Sequence, residues 1–418
     1  DLVRSRGLGD VYKRQTPCHS QQSGRLANTV VRYVPSTSQV TVTSSLTWID
    51  HDRSAGERTQ RILALFRERE ARDELGLGAI VGSFSDQLFP GTSTIQTRLR
   101  YMFFVPWIYK AIEAKETKQA KQEKDSTRRE RALKEHEQAL ITALLDSGEK
   151  AGVLGQLARE GLKRYPSSVY WAGLGSWGIR GVHGPEREAQ EGEGWDGELP
   201  EPPPDFPEGA TFRLTVDEAS YVCDKLVRLH AKSLLAHLAM HRLELDDIGA
   251  PWELPSDALL AGHRDLLAEA HRFALAMQGA AFVYNLMLAE RASNDERRAH
   301  YVERLAEWRE SIVSHRISTW SLDAFWPKVL EHGHAIGYPT RAFVTEWVNI
   351  AQGSVDAASS PQARQLVQKR EMALKGAHSR FRSAKALQRW SGAAGVGLTT
   401  YRWNTARRFL IDLHGAQD

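Results

Sequence analysis

"SDALLAGHRDLLAEAHRFALAMQGAAFVYNLMLAE" (Ser256–Glu290) is the stretch on which the fold turns. Leu266, Ala270, Phe273, Met277, Ala281, Tyr284 and Leu288 recur at steps of four and three, which aligns them on one face of an α-helix. The spacing predicts one long helix from Ser256 to about Glu290, carrying the stripe of a bundle helix. A short turn at Ser293-Asn294 and the periodic run "DERRAHYVERLAEWRESIV" predict an antiparallel partner for it.

Working outward, helical periodicity recurs almost throughout. "RTQRILALFRERE" (Arg58–Glu70) puts Ile62, Leu65 and Phe66 on one stripe, and "DELGLGAIVGSFSDQLFPGTS" (Asp73–Ser93) reads as a Gly-interrupted helix that Pro90-Gly91 ends. Thr92 or Ser93 is then expected to cap a third helix through "TIQTRLRYMFFVPWIYKAIEA". Thr215 followed by Glu218 forms a capping box ahead of another helix, and "SLDAFWPKVLEHGHAI" and "TRAFVTEWVNIAQ" add two more. Only "VGLTTYRW" (Val396–Trp403) reads as a strand. Val182–Ala210 holds nine Asp/Glu, six prolines and only Arg187 as a cation, a composition too polar to fold alone. The expected fold is mainly α: helical lobes at 44–181 and 211–418, joined by an acidic Pro-rich linker at 182–210.

The charge is unevenly placed. The chain of 418 residues has a formal net charge of +3, but residues 1–43 contribute +4, leaving −1 for the rest. Within that first segment, "DVYKRQ" (Asp10–Gln15) looks like the translation of GAT-GTG-TAT-AAG-AGA-CAG, the transposon mosaic end of sequencing-library adapters. Residues 1–15 are therefore read as adapter-like and 1–43 as a non-native or disordered segment, with translation expected to start near Val42. Overall charge then carries no argument for nucleic acid. Two cysteines, Cys18 and Cys223, imply no disulfide framework and fit a cytoplasmic protein. The apolar runs "MFFVPWIY" and "GAAFVYNLMLA" are too short for a bilayer, so no membrane partner is expected.

Two stretches carry candidate binding chemistry. In "LFPGTSTIQTRLRYMFFVPWIY" (Leu88–Tyr109), Arg98 and Arg100 stand beside an aromatic run, and the backbone N–H groups after Pro90-Gly91 are placed to hold an anion. Alternatively, these arginines pair with carboxylates such as Asp86. Residues 361–410 hold eleven Lys/Arg against Glu371 alone. Read as one helix, Val367, Leu374, Ala377 and Phe381 share a stripe, and Arg370 and Lys385 fall on or beside it and should have anionic partners. Arg98, Arg100, Lys375, Arg380, Arg382, Arg402 and Trp403 are the candidate contacts to DNA or RNA. His230, His237 and His241 share one face of an unbroken helix and are weak zinc candidates, but Ser233 is able to cap a new helix and turn His230 away. The Walker lysine loop, Gly-x-Ser-x-Gly and His-Glu-x-x-His are all missing, so no catalytic residue or cofactor is assigned.

"SLTWID", "RDELGLG", "LFPGTSTIQTRLRYMFFVPWIY", "VYWAGLGSWGI" and "RE…LKG…R…LQRWSG…YRW" resemble an uncharacterised bacterial family, domain-of-unknown-function family 6361, from about Ser45 to Asp412. The resemblance brings no established activity and no catalytic residues. It associates the chain with mobile-element and phage-defence neighbourhoods, and hence with a multi-subunit setting. The leading expectation is a non-enzymatic nucleic-acid-binding or assembly subunit. The alternatives are a scaffold that anchors a protein partner through exposed tryptophans and an enzyme of unrecognised type.

Overall fold

The long helix begins later than its periodicity predicts. A computed structural model describes residues 73–119, 126–157, 161–162, 164–181, 194–353 and 356–417. Among these are thirteen α-helices: α1 (Gly78–Leu88), α2 (Tyr101–Gln119), α3 (Ser126–Asp146), α4 (Pro166–Ser176), α5 (Val216–His230), α6 (Leu234–Met240), α7 (Ala261–Arg291), α8 (Asp295–Ser314), α9 (Leu322–Leu330), α10 (Tyr338–Gln352), α11 (Pro361–Lys375), α12 (Ala384–Gln388) and α13 (Trp403–His414). Ser256 opens a 3₁₀ turn, and Leu259 and Leu260 run extended before α7 starts. Arg264 then donates to the Ser256 and Leu259 carbonyls, at 3.0 and 2.5 Å, holding the turn against the helix.

α7 is also buried more completely than one stripe requires. From Phe273 to Ala289 only Gln278 and Met287 retain appreciable exposure. Ala274, Ala276, Gly279, Ala280 and Ala281 are small enough for neighbours to approach on the remaining faces. Its length and composition alone suffice to cross a bilayer, contrary to the expectation from short apolar runs, but protein covers 83% of its most apolar window. α8 returns antiparallel, as the turn at Ser293-Asn294 predicts, and Asn294 caps it by accepting from the Arg297 N–H.

Three tryptophans fix neighbours to α7. Trp308 of α8 lies directly on Gly279, where a Cβ would stand 2.2 Å from the indole, and donates to the Leu275 carbonyl at 2.8 Å. Trp347 of α10 donates to the next carbonyl, Ala276, at 2.7 Å, and Trp320 donates to the Glu269 carboxylate at 2.8 Å. α11 lies against another face, with Ser360 capping its first turn.

The described residues of both expected lobes fall within one compact unit. α1, from the first half, is bound to α9 through Ser83 donating to the Val329 carbonyl and Gln87 donating to the Lys328 carbonyl. Phe84 of α1 also packs between Phe325 and Tyr401. The second half of the expected linker is docked: Trp107 donates to the Pro200 carbonyl at 2.7 Å, Phe206 stacks on Phe104, and Leu199 and Ala210 are buried. Its acidic composition concealed the few apolar groups that seat it on α2. The 1–43 segment, the "RTQRILALFRERE" helix and residues 182–193 lie outside the described residues. "VGLTTYRW" forms no strand; the β-pairing among the described residues is one bridge, Arg180 with Trp195.

The Gly279–Trp308 contact generates a stability prediction. Gly279→Ala should cost about 2 kcal/mol or more by overpacking. Gly262→Ala, near the start of the same helix with nothing within 4 Å of an added methyl, should leave stability equal or raised. Urea unfolding of the two variants checks the contrast.

Candidate functional site

The turn that carries Arg98 and Arg100 is built by side chains from distant parts of the chain. No helix starts at Thr92 or Ser93; the backbone stays irregular until Tyr101. Gln96 accepts from the Ser93 N–H (2.7 Å) and donates to the Gly91 carbonyl (3.2 Å). The buried Tyr170 hydroxyl accepts from the Thr97 and Arg98 N–H groups, at 2.9 and 3.0 Å, and donates to the Arg98 carbonyl. Asp412 of α13 accepts from the Leu99 N–H at 2.9 Å and receives the Arg98 guanidinium at 2.8–3.0 Å. The anion held by this turn is thus the protein's own carboxylate. Burial pushes the Asp412 carboxyl above the usual aspartate range, opposed by the Arg98 guanidinium and the Leu99 N–H. Arg100 pairs with the buried Glu218 of α5 at 2.8 Å and donates to the Thr211 carbonyl. The expected pairing with carboxylates holds, but Asp86 binds Arg402 instead, at 2.6 Å.

The C-terminal basic block is mostly folded inward. Its single-helix reading fails at Gly376, where φ is +54° and α11 ends, so Lys385 lies on an exposed segment rather than beside the apolar stripe. Arg370 is buried, as its position on the stripe predicts, but its partners are not anions. Its guanidinium donates to the Leu75 and Gly76 carbonyls and to the Thr340 hydroxyl, at 2.8–3.2 Å, and burial lowers its pKa. Glu74 binds Arg380 at 2.8 Å and Lys375 at 3.7 Å, and Arg380 also donates to the Tyr284 hydroxyl of α7. Glu371, fully buried, accepts from the Arg380 N–H and the Ser379 hydroxyl. The "RDELGLG" and "RE…LKG…R" stretches therefore meet around Tyr284. Arg364 pairs with Glu290, and Arg407 donates to the Asp246 and Ile248 carbonyls. Trp403 is fully buried and donates to the Ile248 carbonyl, so it offers no face for stacking.

Five cations of the block stay exposed: Lys369 on α11, Arg408 on α13, and three that follow one another along one edge. Arg382, Lys385 and Arg389 are exposed and have no carboxylate partner among the described residues. No Asp or Glu lies between Gly376 and Thr400. Of the seven proposed contacts, only Arg382 belongs to this edge. The structure adds Arg297, in the first turn of α8, whose guanidinium lies against Gly392. Its neighbours Asp295 and Glu296 are exposed, and Asp295 contacts Arg298. Nothing local in "DERRAH" marked Arg297; the antiparallel turn brings it to the loop that follows Arg389.

The three histidines divide. Ser233 caps α6 by accepting from the Ala236 N–H, and α5 ends at His230, whose Nε2 turns to the Ser176 carbonyl. His237 stacks on His241, with ring centroids 4.3 Å apart, and lies beside His263 at 5.0 Å. Among the described residues, no three His, Cys, Asp or Glu side chains are grouped to hold a metal. A cavity of about 670 Å³ borders the Arg100–Glu218 pair; of its carboxylates, Glu218, Glu198 and Glu201 are engaged by Arg100, Arg228 and Lys110, and Asp217 and Asp224 are exposed on its wall.

Most of the motifs that position these residues fall within one recognised sequence unit. A family model described as a family of unknown function (DUF6361) matches residues 43–417. The chain belongs to that family. The match takes in both the buried Glu74–Arg380 cluster and the exposed edge at 382–389 as parts of one family domain. Comparison with curated proteins and with solved structures gives no match.

The Asp412 lock predicts a non-additive pair. Asp412→Ala leaves the largely buried Arg98 guanidinium without its main partner and should cost about 3–5 kcal/mol. Asp412→Leu combined with Arg98→Met should recover most of that loss. Denaturant unfolding of the single and double variants measures the coupling.

Proposed function

We propose that this chain binds nucleic acid through the edge formed by Arg297, Arg382, Lys385 and Arg389. The observation that carries this reading is the run of exposed cations Arg382, Lys385 and Arg389 in a stretch of chain free of acids, whereas Arg370, Lys375, Arg380 and Arg402 of the same block are held by internal carboxylates and carbonyls. A solvated run of cations attracts a polyanion and releases its counterions, so affinity falls steeply with salt. With three or four phosphates neutralised, the expected binding is weak and sequence-independent.

The geometry favours this reading over a scaffold anchored by tryptophans. Trp107, Trp177, Trp308, Trp320, Trp347 and Trp403 are buried, and no tryptophan among the described residues is fully exposed. The carboxyls that burial raises are both engaged inside the fold, Asp412 by Arg98 and the Leu99 N–H and Glu137 by the Ser167 N–H.

Charge reversal at the edge tests the proposal. Arg382→Glu/Lys385→Glu/Arg389→Glu should weaken low-salt binding of a labelled DNA or RNA oligonucleotide about tenfold or more and flatten the salt dependence. Arg128→Glu/Arg131→Glu, at exposed positions on α3, should change affinity by no more than about twofold. Wild-type affinity in the triple variant, or no binding by the native protein at low salt, contradicts the reading.

A further inference from the structure

Beside Arg389 the chain runs through "SGAAGVGL" (Ser391–Leu398), a loop laid along α7 and α8. Its carbonyls are turned inward at three points. Gly392 accepts from the Tyr301 hydroxyl (2.6 Å), Ala394 from the Asn285 amide (2.7 Å) and Val396 from the Gln278 amide (3.1 Å). Only one N–H of the loop is engaged in return, that of Ala394, on the Asn285 oxygen. The N–H groups of Ser391, Ala393, Gly395 and Gly397 have no acceptor among the described residues, and all four residues are exposed.

Two of the glycines have backbone reasons to be there: φ is +93° at Gly392 and +67° at Gly395. Gly397 has neither a left-handed φ nor any atom within 4 Å of where a Cβ would stand. No packing among the described residues requires a glycine at that point. It does leave the backbone open to close approach from outside. The exposed Arg297 guanidinium lies against Gly392, with Nε 2.9 Å from the Cβ position, so a cation borders the row of free donors.

The aromatic side chains around this loop are already engaged. Trp390 is half-buried and donates to Asn285, while Tyr301, Phe381, Tyr401 and Trp403 are buried. The edge thus offers donors and cations for phosphate and, for a base, only the partly covered ring of Trp390.

We infer that the Ser391–Leu398 loop and Arg297 form a phosphate cradle, so that the edge grips the phosphodiester backbone and leaves the bases unread. This rests on the nucleic-acid reading above and specifies what part of the polymer is held. Backbone N–H groups bind phosphate oxygens at short range, and the missing side chain at Gly397 is what permits that approach.

The test compares oligothymidylate with an abasic deoxyribose-phosphate oligomer of the same length, by anisotropy at low salt. A backbone reader should hold the two within about threefold of each other. Gly397→Val should weaken both about fivefold or more at an unchanged melting temperature, since the added side chain meets nothing in the fold. Tight binding of oligothymidylate with about tenfold or greater loss for the abasic oligomer overturns the inference and leaves the nucleic-acid reading standing. So does wild-type affinity in folded Gly397→Val. If neither oligomer binds, both readings fall.

Discussion

A helix whose second half is buried on every side must be enclosed by chain drawn from far along the sequence. α7 imposes that requirement here. Gly279 lets the Trp308 ring descend onto the helix backbone, and the Leu275 and Ala276 carbonyls take indole N–H groups from two different helices. A mid-helix carbonyl has a second lone pair, so these bonds fix rotation and register without removing a helical bond. Once α8 and α10 are held there, α11 and the loop beyond Arg389 have a defined surface to lie on. Asn285 shows the consequence. It is fully buried on α7, and its amide pairs with the Ala394 backbone through both its oxygen and its nitrogen.

Charge is distributed by the same enclosure. Bringing the basic block against the first half of the chain buries several cations, and a buried cation without partners is costly. Each therefore meets oxygen: Arg98 at Asp412, Arg100 at Glu218, Arg380 at Glu74, and Arg370 at two carbonyls and a hydroxyl. The cations beyond Gly376 that remain in solvent had no such constraint. The division between interior and edge gives Arg380 and Arg382 different roles although they are two residues apart.

Local chemistry was legible in the sequence where the determining residues are close together. The antiparallel α7–α8 pair, the Thr215–Glu218 capping box and the break at Ser233 follow from spacings of three to seven residues. Partners of Arg98 and Arg100 were not legible, because Asp412 and Glu218 lie hundreds or more than a hundred residues away. The docked half of the acidic segment was missed for a related reason. Its anchors, Leu199, Phe206 and the Pro200 carbonyl, gain meaning only beside the aromatic face of α2. Periodicity also misplaced the start of α7, since Leu259 and Leu260 continue the apolar pattern while the backbone is extended.

The central claim is that the basic block is divided between a structural interior and an exposed edge. Parallel thermal unfolding of Arg380→Glu and Arg382→Glu tests it most directly. Arg380→Glu places a third carboxylate beside Glu74 and Glu371 and should cost about 3 kcal/mol or more. Arg382→Glu, in solvent, should stay within about 0.5 kcal/mol of the native protein. Equal losses in the two variants, or a native-like melting curve for Arg380→Glu, would contradict the account.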